Sequence, residues 1–94
     1  MPAKAVASLQ IENGRIRVTE WRFAPGAATG WHRHEFDYVV VPTTTGTLLL
    51  KEPKGERLAE LTAGQSYTRE AGVEHDVINR GPGECVFIEV ELKR

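Results

Sequence analysis

Short apolar runs separated by glycine, proline and asparagine turns fill this chain, and this punctuation constrains its fold more than any other feature. A fully apolar, mostly β-branched run over 38–41 ends at Pro42, and residues 85–92 alternate in polarity. No segment has the apolar periodicity of an amphipathic helix. Runs of this length bounded by turn residues are typical of strands. The sequence therefore predicts an all-β protein of about eight or nine strands, arranged as a sandwich or barrel.

Two predicted strands carry the clearest local patterns. Asn13-Gly14 lies between the first two runs and predicts a two-residue hairpin, because both residues tolerate positive φ. In the last run, Glu89 and Glu91 share one face, and the apolar side chains occupy the other, with Phe87 as the exception. The predicted strands named by their bounds are 9–12, 15–23, 29–34, 38–41, 47–51, 57–62 and 85–92.

Composition narrows the functional classes. The 94 residues predict one domain over 1–94, and their 12 Lys and Arg against 13 Asp and Glu give no field that would attract nucleic acid. The single cysteine, Cys85, excludes an intrachain disulfide and is expected to be a small apolar core residue. No apolar run approaches the ~20 residues that cross a bilayer. We expect a cytoplasmic protein without a membrane partner, and a homodimer because so small a core gives modest stability.

The only three histidines have a spacing that suits metal binding. His32 and His34 would lie on one face of a strand, about 7 Å apart along the backbone. An imidazole from a neighbouring strand, His75, could complete three corners of a coordination shell and leave a position open. Neutral imidazoles suit Zn, Fe, Ni, Cu or Co better than Mg or Ca. The alternative is that these are ordinary, half-exposed strand histidines.

Two stretches around these histidines resemble the paired motifs of the cupin superfamily. Motif one, about 26–46, begins with Gly26, five residues and then His-x-His. Motif two, about 64–79, has its glycines, histidine and asparagine at the family spacing: Gly64, Gly72, His75 and Asn79. The string Trp-His-Arg-His-Glu-Phe-Asp-Tyr-Val-Val-Val-Pro is further similar to small single-domain cupins of bacterial β-alanine degradation.

The resemblance implies a jelly-roll β-barrel with one divalent metal ion inside it. In the family, the ligands are the two motif-one histidines, a motif-one glutamate and the motif-two histidine. Carried over to this chain, His32, His34 and His75 take the three histidine positions. The motif-two glycines would occupy turns that need a glycine backbone, and Asn79 a polar position near the end of its strand.

The chain departs from the family pattern at two places. Glu70 replaces the motif-two proline, which changes only the rigidity of a turn. The motif-one glutamate is missing, because Tyr38 and Val39 occupy its two permitted positions, while Glu35 and Asp37 are close but out of register. A fourth ligand could therefore be the Tyr38 phenolate, a carboxylate brought round by the loop, or water. We favour three histidines and water.

The resemblance implies a small metal-dependent cupin that acts on a small carboxylate or carbonyl compound in bacterial catabolism. Tyr38 and Asp37 are catalytic candidates by proximity only. The alternative is a non-catalytic module that binds or senses a small-molecule ligand, with or without metal, and the residues do not decide between them. Some charged and aromatic side chains would contact a ligand if they face inward, and form surface ion pairs, core or subunit interface otherwise: Glu20, Arg22, Arg69, Glu89, Trp21, Phe23 and Trp31. Among the charged ones Arg69 has the best case, since it sits on the strand that leads to Gly72 and His75 of motif two.

Overall fold

The computed structural model describes residues 3–93, and these residues form nine strands and no helix. Within this range no helix is long and apolar enough to cross a membrane. The all-β prediction is confirmed. The strands are β1 (Val6–Glu12), β2 (Ile16–Phe23), β3 (His32–Arg33), β4 (Asp37–Pro42), β5 (Gly46–Glu52), β6 (Gly55–Leu61), β7 (Tyr67–Arg69), β8 (Glu74–Asn79) and β9 (Cys85–Leu92).

Two antiparallel sheets face each other and enclose the core. One has five strands in the order β1-β2-β9-β4-β7, and the other has four in the order β3-β8-β5-β6. Consecutive strands mostly lie in different sheets from β3 onward, which is the connectivity of the predicted jelly roll. The core cluster takes aromatic residues from the first sheet and aliphatic ones from the second, including Phe23, Tyr38, Phe87, Leu48, Leu50, Leu61 and Val77.

The first hairpin differs from its prediction. Neither Asn13 nor Gly14 has a positive φ, and β1 and β2 are joined by the three residues 13–15. The Asn13 side-chain oxygen accepts hydrogen bonds from the backbone N–H groups of Arg15 (2.8 Å) and Ile16 (3.0 Å). The predicted two-residue turn was therefore wrong, because the asparagine side chain forms an Asx turn that stabilises a longer loop.

The strand predicted over 29–34 is also shorter in the structure, where only His32–Arg33 is regular. Gly30 has φ +84°, which interrupts the strand. The flanking backbone still follows β8, since Thr29 N–H donates to the Val77 carbonyl at 2.9 Å and His34 N–H to the Val73 carbonyl at 2.8 Å. The segment that carries both motif-one histidines is thus held to the strand that carries the third.

Strand β9 places its carboxylates inside the barrel. Glu89 is paired with Thr19 on one side and Val40 on the other, and Phe87 and Cys85 on the same face belong to the core. The expected small core role of Cys85 is confirmed, since it is buried. Phe87, the exception to the sequence pattern, therefore shares a face with the glutamates, and the regular apolar alternation of this strand lies on the outer face of the sheet.

Candidate functional site

The structure brings the three histidines together inside the barrel. His32 on β3 and His75 on β8 are directly paired across the ladder, so their side chains share a face. The Nε2 atom of His34 lies 3.1 Å from Nε2 of His32 and 3.2 Å from Nε2 of His75. The ring planes of His34 and His75 are at 90° to each other. All three rings therefore direct the same nitrogen toward one point.

Local contacts hold the ring of His32 and the backbone of His34. Nδ1 of His32 lies 2.9 Å from the Gly30 carbonyl oxygen, which only accepts hydrogen bonds, so Nδ1 carries a proton and Nε2 is the atom directed at the other histidines. The His34 backbone is held on both sides, since its carbonyl accepts from Gly72 N–H at 2.8 Å. Gly72 has φ +95°, a conformation that a side chain would strain, so the motif-two glycine positions the motif-one histidine. Nδ1 of His75 is buried and has no hydrogen-bond partner within residues 3–93.

Two of the three histidines are neutral in this environment and so have ring nitrogens available to a metal ion. Burial, followed by the charges of His32 and Arg69, lowers the pKa of His34 to about 4. Burial and the neighbouring histidines lower the pKa of His75 to about 3. Both rings are therefore neutral at pH 7, and a single proton on the central Nε2 can satisfy only one of its two contacts. In a tetrahedral site with metal–nitrogen bonds of about 2.0–2.1 Å, adjacent nitrogens are about 3.3 Å apart, so the observed separations fit a metal ion.

A cavity lies beside the histidines between the two sheets. The space that the centre of a water molecule can occupy in it is about 20 Å³, and the empty space is about 380 Å³ once the part open to solvent is included. Aliphatic side chains of both sheets form part of its wall. The remaining wall combines imidazole, aromatic and charged groups: His32, His75, Trp21, Tyr38, Tyr67, Phe87, Arg69 and Glu89.

The two catalytic candidates occupy different environments. Tyr38 is buried, its ring stacks on His34 with centroids 3.9 Å apart, and its hydroxyl has no hydrogen-bond partner in the described chain. Burial raises the pKa of Tyr38, which keeps the hydroxyl protonated and makes it a donor rather than a phenolate. The Asp37 carboxylate accepts a hydrogen bond from the Ala71 N–H at 2.8 Å, and its strand position pairs with Leu92 on the outer face. Glu35, the other nearby carboxylate, is exposed.

Glu89, which the sequence left open between a ligand contact and a surface ion pair, lines the cavity. It is only 8% exposed, and no ion pair reaches it within residues 3–93. Burial and the nearby Glu91 raise the pKa of Glu89 to about 7, and a hydrogen bond from the Trp21 side chain opposes this rise. The signal was present in the sequence, because Phe87 shares its face and an aromatic residue on the carboxylate face indicates that this face is inside.

Arg69 also lines the cavity and is loosely paired. Its guanidinium lies 3.5 Å from one oxygen of Glu52, whose other oxygen accepts from Arg57 Nε at 3.0 Å. A guanidinium has five N–H donors, so this single contact does not use all of them. In contrast, Arg22 lies on the outside and pairs with Glu20 and Glu84 at 3.4 and 2.7 Å.

The other predicted residues have structural positions. Asn79 is buried, donates to the carbonyls of Phe23 (3.2 Å) and Gly83 (2.8 Å), and so joins the end of β8 to the end of β2. Of the aromatic candidates, Trp21 lines the cavity, Phe23 is core, and Trp31 is 53% exposed. The pocket interpretation thus holds for one of the three.

Comparison with known proteins is consistent with this geometry. The sequence profile described as "Cupin domain" matches residues 19–91. The chain belongs to the cupin family. It is 61% identical over 90 residues to the β-alanine degradation protein BauB of Pseudomonas aeruginosa, covering 96% of this chain and 95% of that one. This cupin also superposes on a crystal structure of a cupin domain from Bordetella pertussis with TM-score 0.98 and 56% identity, covering 100% of this chain and 98% of the other.

More distant structures share the fold alone. A double-stranded β-helix protein of Klebsiella pneumoniae has TM-score 0.78 at 22% identity and covers 95% of this cupin and 76% of its own chain. The polyketide cyclase RemF of Streptomyces resistomycificus has TM-score 0.75 at 20% identity, with coverages of 99% and 70%. Likeness at this distance shows the barrel alone, so the function of this cupin has to be argued from its own site.

Proposed function

We propose that this cupin binds one divalent transition metal ion through His32, His34 and His75 and acts on a small carboxylate or carbonyl compound in β-alanine breakdown. The observation that carries the proposal is the convergence of the Nε2 atoms, at 3.1 and 3.2 Å, beside a cavity between the two sheets. The pathway follows from similarity to a protein named for β-alanine degradation. The ion would be Zn, Fe, Ni, Cu or Co, which imidazole ligands suit.

The chain's own residues would set the chemistry around the ion. Three imidazoles would hold the ion, and water would complete its coordination. Tyr38 stands at a position where the family carries its glutamate ligand, and its hydroxyl stays protonated, so it does not bind the ion as a phenolate. A bound ion would polarise a carboxylate or carbonyl oxygen, or lower the pKa of coordinated water. The Tyr38 hydroxyl, which is buried and unpartnered in the described chain, would donate a hydrogen bond to a ligand oxygen.

One observation favours the alternative of a non-catalytic binding module. A general base has to reach the substrate, and neither catalytic candidate named from the sequence does so in a basic form, since Tyr38 stays protonated and the Asp37 carboxylate bonds the Ala71 backbone outside the cavity wall. In an enzyme the role of base would fall to Glu89, which lines the cavity and has a pKa of about 7. Such a module would hold or sense the same ligand without turning it over.

Metal analysis followed by turnover assays separates these functions. Protein purified without a histidine tag should contain, or take up on titration, one equivalent of a transition metal. Absence of stoichiometric metal with no rebinding would contradict the metal proposal. Aerobic turnover of β-alanine-derived semialdehydes by the Fe(II)-loaded protein would support an enzyme, whereas tight binding without turnover would support the module.

We further propose that this cupin is a cytoplasmic homodimer in which a second copy covers the outer face of the five-stranded sheet. A sheet with only one covered face normally carries polar residues on the other, but here the outer face is largely apolar. Its apolar residues come from neighbouring strands in register: Ile16, Val18, Val39, Val41, Ile88, Val90 and Leu92. The net charge of −1 opposes self-association only weakly.

A further inference from the structure

The buried Glu89 carboxylate points to a ligand with a positive charge. No Lys, Arg or His forms an ion pair with it within residues 3–93, and its neighbour Glu91 is already engaged by Arg17 at 3.5 Å. A buried carboxylate without a cationic partner is destabilising unless it takes up a proton or a cation from outside the chain approaches it. The same side chain lines the cavity, so a ligand there can supply that cation.

The wall around Glu89 suits an ammonium group. Trp21 and Phe87 lie in the next inward-facing row of the sheet, and Tyr67 lies in the row of Glu89 itself, on the far side of Val40. Both Trp21 and Tyr67 reach the cavity, as does Phe87. Aromatic faces attract organic cations, most strongly when the site is shielded from water. Carboxylate and aromatic groups together therefore select a cationic nitrogen.

The groups that would bind a negatively charged end of the ligand lie in the adjacent row of the sheet. Arg69 and Tyr38 are directly paired between β7 and β4, and both line the cavity. Arg69 has N–H donors beyond its 3.5 Å contact to Glu52, and the buried Tyr38 hydroxyl has no partner in the described chain. These are the donors that a carboxylate accepts from. Glu89 and Tyr38 occupy diagonal positions on neighbouring strands, about 7–8 Å apart at the backbone, a span that a short carbon chain can bridge.

We infer that the cavity recognises a short dipolar amino acid, with Glu89 binding its ammonium group and Arg69 and Tyr38 binding its carboxylate. The inference rests on the proposed function and narrows its ligand class, because a carboxylate or carbonyl compound without an amino group would leave Glu89 unpaired. A metal-ligand role for Glu89 is less favoured, since its ligand atom groups with those of His34 and Glu91 rather than with the whole histidine cluster.

The test compares ligands that carry one charge or both. Calorimetric titration of the full-length protein, metal-loaded and metal-free, would use glycine, β-alanine and 4-aminobutyrate, with 3-hydroxypropionate (no ammonium) and propylamine (no carboxylate) as single-charge probes. At least one amino acid should bind about tenfold or more tightly than both single-charge probes. Binding of none of the three amino acids at about 10 mM would overturn the inference.

Isosteric variants test which residue binds the ammonium end of the ligand and which binds its carboxylate end. Glu89→Gln should abolish the preference for the amino acid over 3-hydroxypropionate, and Arg69→Gln should weaken both acids about tenfold while leaving propylamine unchanged. Glu56→Gln, at an exposed position on β6, is the matched control for the first variant, and Arg57→Gln, which shares the Glu52 partner, for the second. Both controls should bind as the wild type does.

Failure of the inference is distinguishable from failure of the proposed function. If 3-hydroxypropionate or a semialdehyde binds as tightly as the amino acids while metal is bound, the dipolar ligand is wrong and the metal-dependent function stands. If Glu89→Gln lowers the metal content, Glu89 is a metal ligand and the inference is overturned. If no metal binds but the amino-acid preference and its loss in Glu89→Gln are observed, the inference stands without the metal.

Discussion

His32 and His75 lie directly opposite each other across the β3–β8 ladder, although each comes from a different cupin motif. Direct cross-strand neighbours have Cβ atoms about 4.5–5.5 Å apart, close enough for two imidazoles to reach one ion. His34 follows two residues later and contacts both through Nε2. The geometry of the cluster thus depends on the register of a strand that is only two residues long, held by the flanking bonds of His34 to Val73 and Gly72.

Replacing His75 with alanine should abolish metal uptake and leave a folded barrel. The substitution removes one of three converging nitrogens, and the neighbouring Val77 and Asn79 still anchor β8 to β5. We expect metal content, measured by mass spectrometry after equilibration with one equivalent, to fall below about a tenth of the wild-type value. Circular dichroism would verify the β-sheet content.

Arg33→Gln is the control for that experiment, because Arg33 lies between the two motif-one histidines but is exposed. It should retain wild-type metal content. Unchanged metal in His75→Ala would contradict the assignment of three histidine ligands, and equal loss in Arg33→Gln would indicate damage to the strand instead.

The histidine cluster could be predicted because two of its residues are neighbours in the sequence and the third follows a motif with fixed spacing. Two residues of His-x-His share a strand face by geometry alone, and the glycine spacing of motif two identifies His75 as their partner. Glu89 was harder to place, since a strand that alternates between valines and glutamates normally buries the valines. Here the inner face packs in the core and the outer face is apolar, so the alternation of polarity did not identify the inner side. Only Phe87 on the glutamate face indicated it. The turn at Asn13 was mispredicted because a side-chain hydrogen bond outweighed the preference of the dipeptide.

Metal-free protein should lose stability as the pH falls from about 6.5. The folded-state pKa values of His34 and His75 are about 4 and 3, below the value of about 6.5 in an unfolded chain, so the unfolded state takes up two protons first. Their contribution is complete above pH 6.5 and lost as the pH falls toward 3. Glu89 has the opposite effect on stability. Its folded-state pKa is about 7, above the value in the unfolded chain, so the folded state takes up one proton first as the pH falls. Urea denaturation should show a lower free energy of unfolding at pH 5 than at pH 7, and equal values would contradict the burial of neutral imidazoles.

Glu89→Gln should stabilise the metal-free, ligand-free protein at high pH. The raised pKa of Glu89, about 7 against 4.5 in the unfolded chain, means that its buried protonated form stabilises below pH 4.5 and that this is lost as the pH rises through 7. A glutamine keeps the shape and removes the ionisation. The gain in unfolding free energy should be about 1 kcal/mol at pH 5 and about 3 kcal/mol at pH 8. Glu56→Gln, at an exposed position on β6, should show no such gain, and a gain independent of pH would disprove this explanation.

Val90→Arg should convert the proposed dimer into a monomer. Val90 is in register with Val18 on one side and Val39 on the other, so it lies at the centre of the apolar outer face. An arginine there would place an unpaired charge inside an isologous interface, once for each copy, which opposes association strongly. Light scattering after size-exclusion chromatography should give a dimer for the wild type and a monomer for the variant at micromolar concentration. Leu58→Arg, at a position 60% exposed on β6 of the other sheet, should remain dimeric. A monomeric wild type would refute the homodimer, and dimeric Val90→Arg would move the interface to another surface, for which the exposed Leu9 and Ile11 of edge strand β1 are the next candidates.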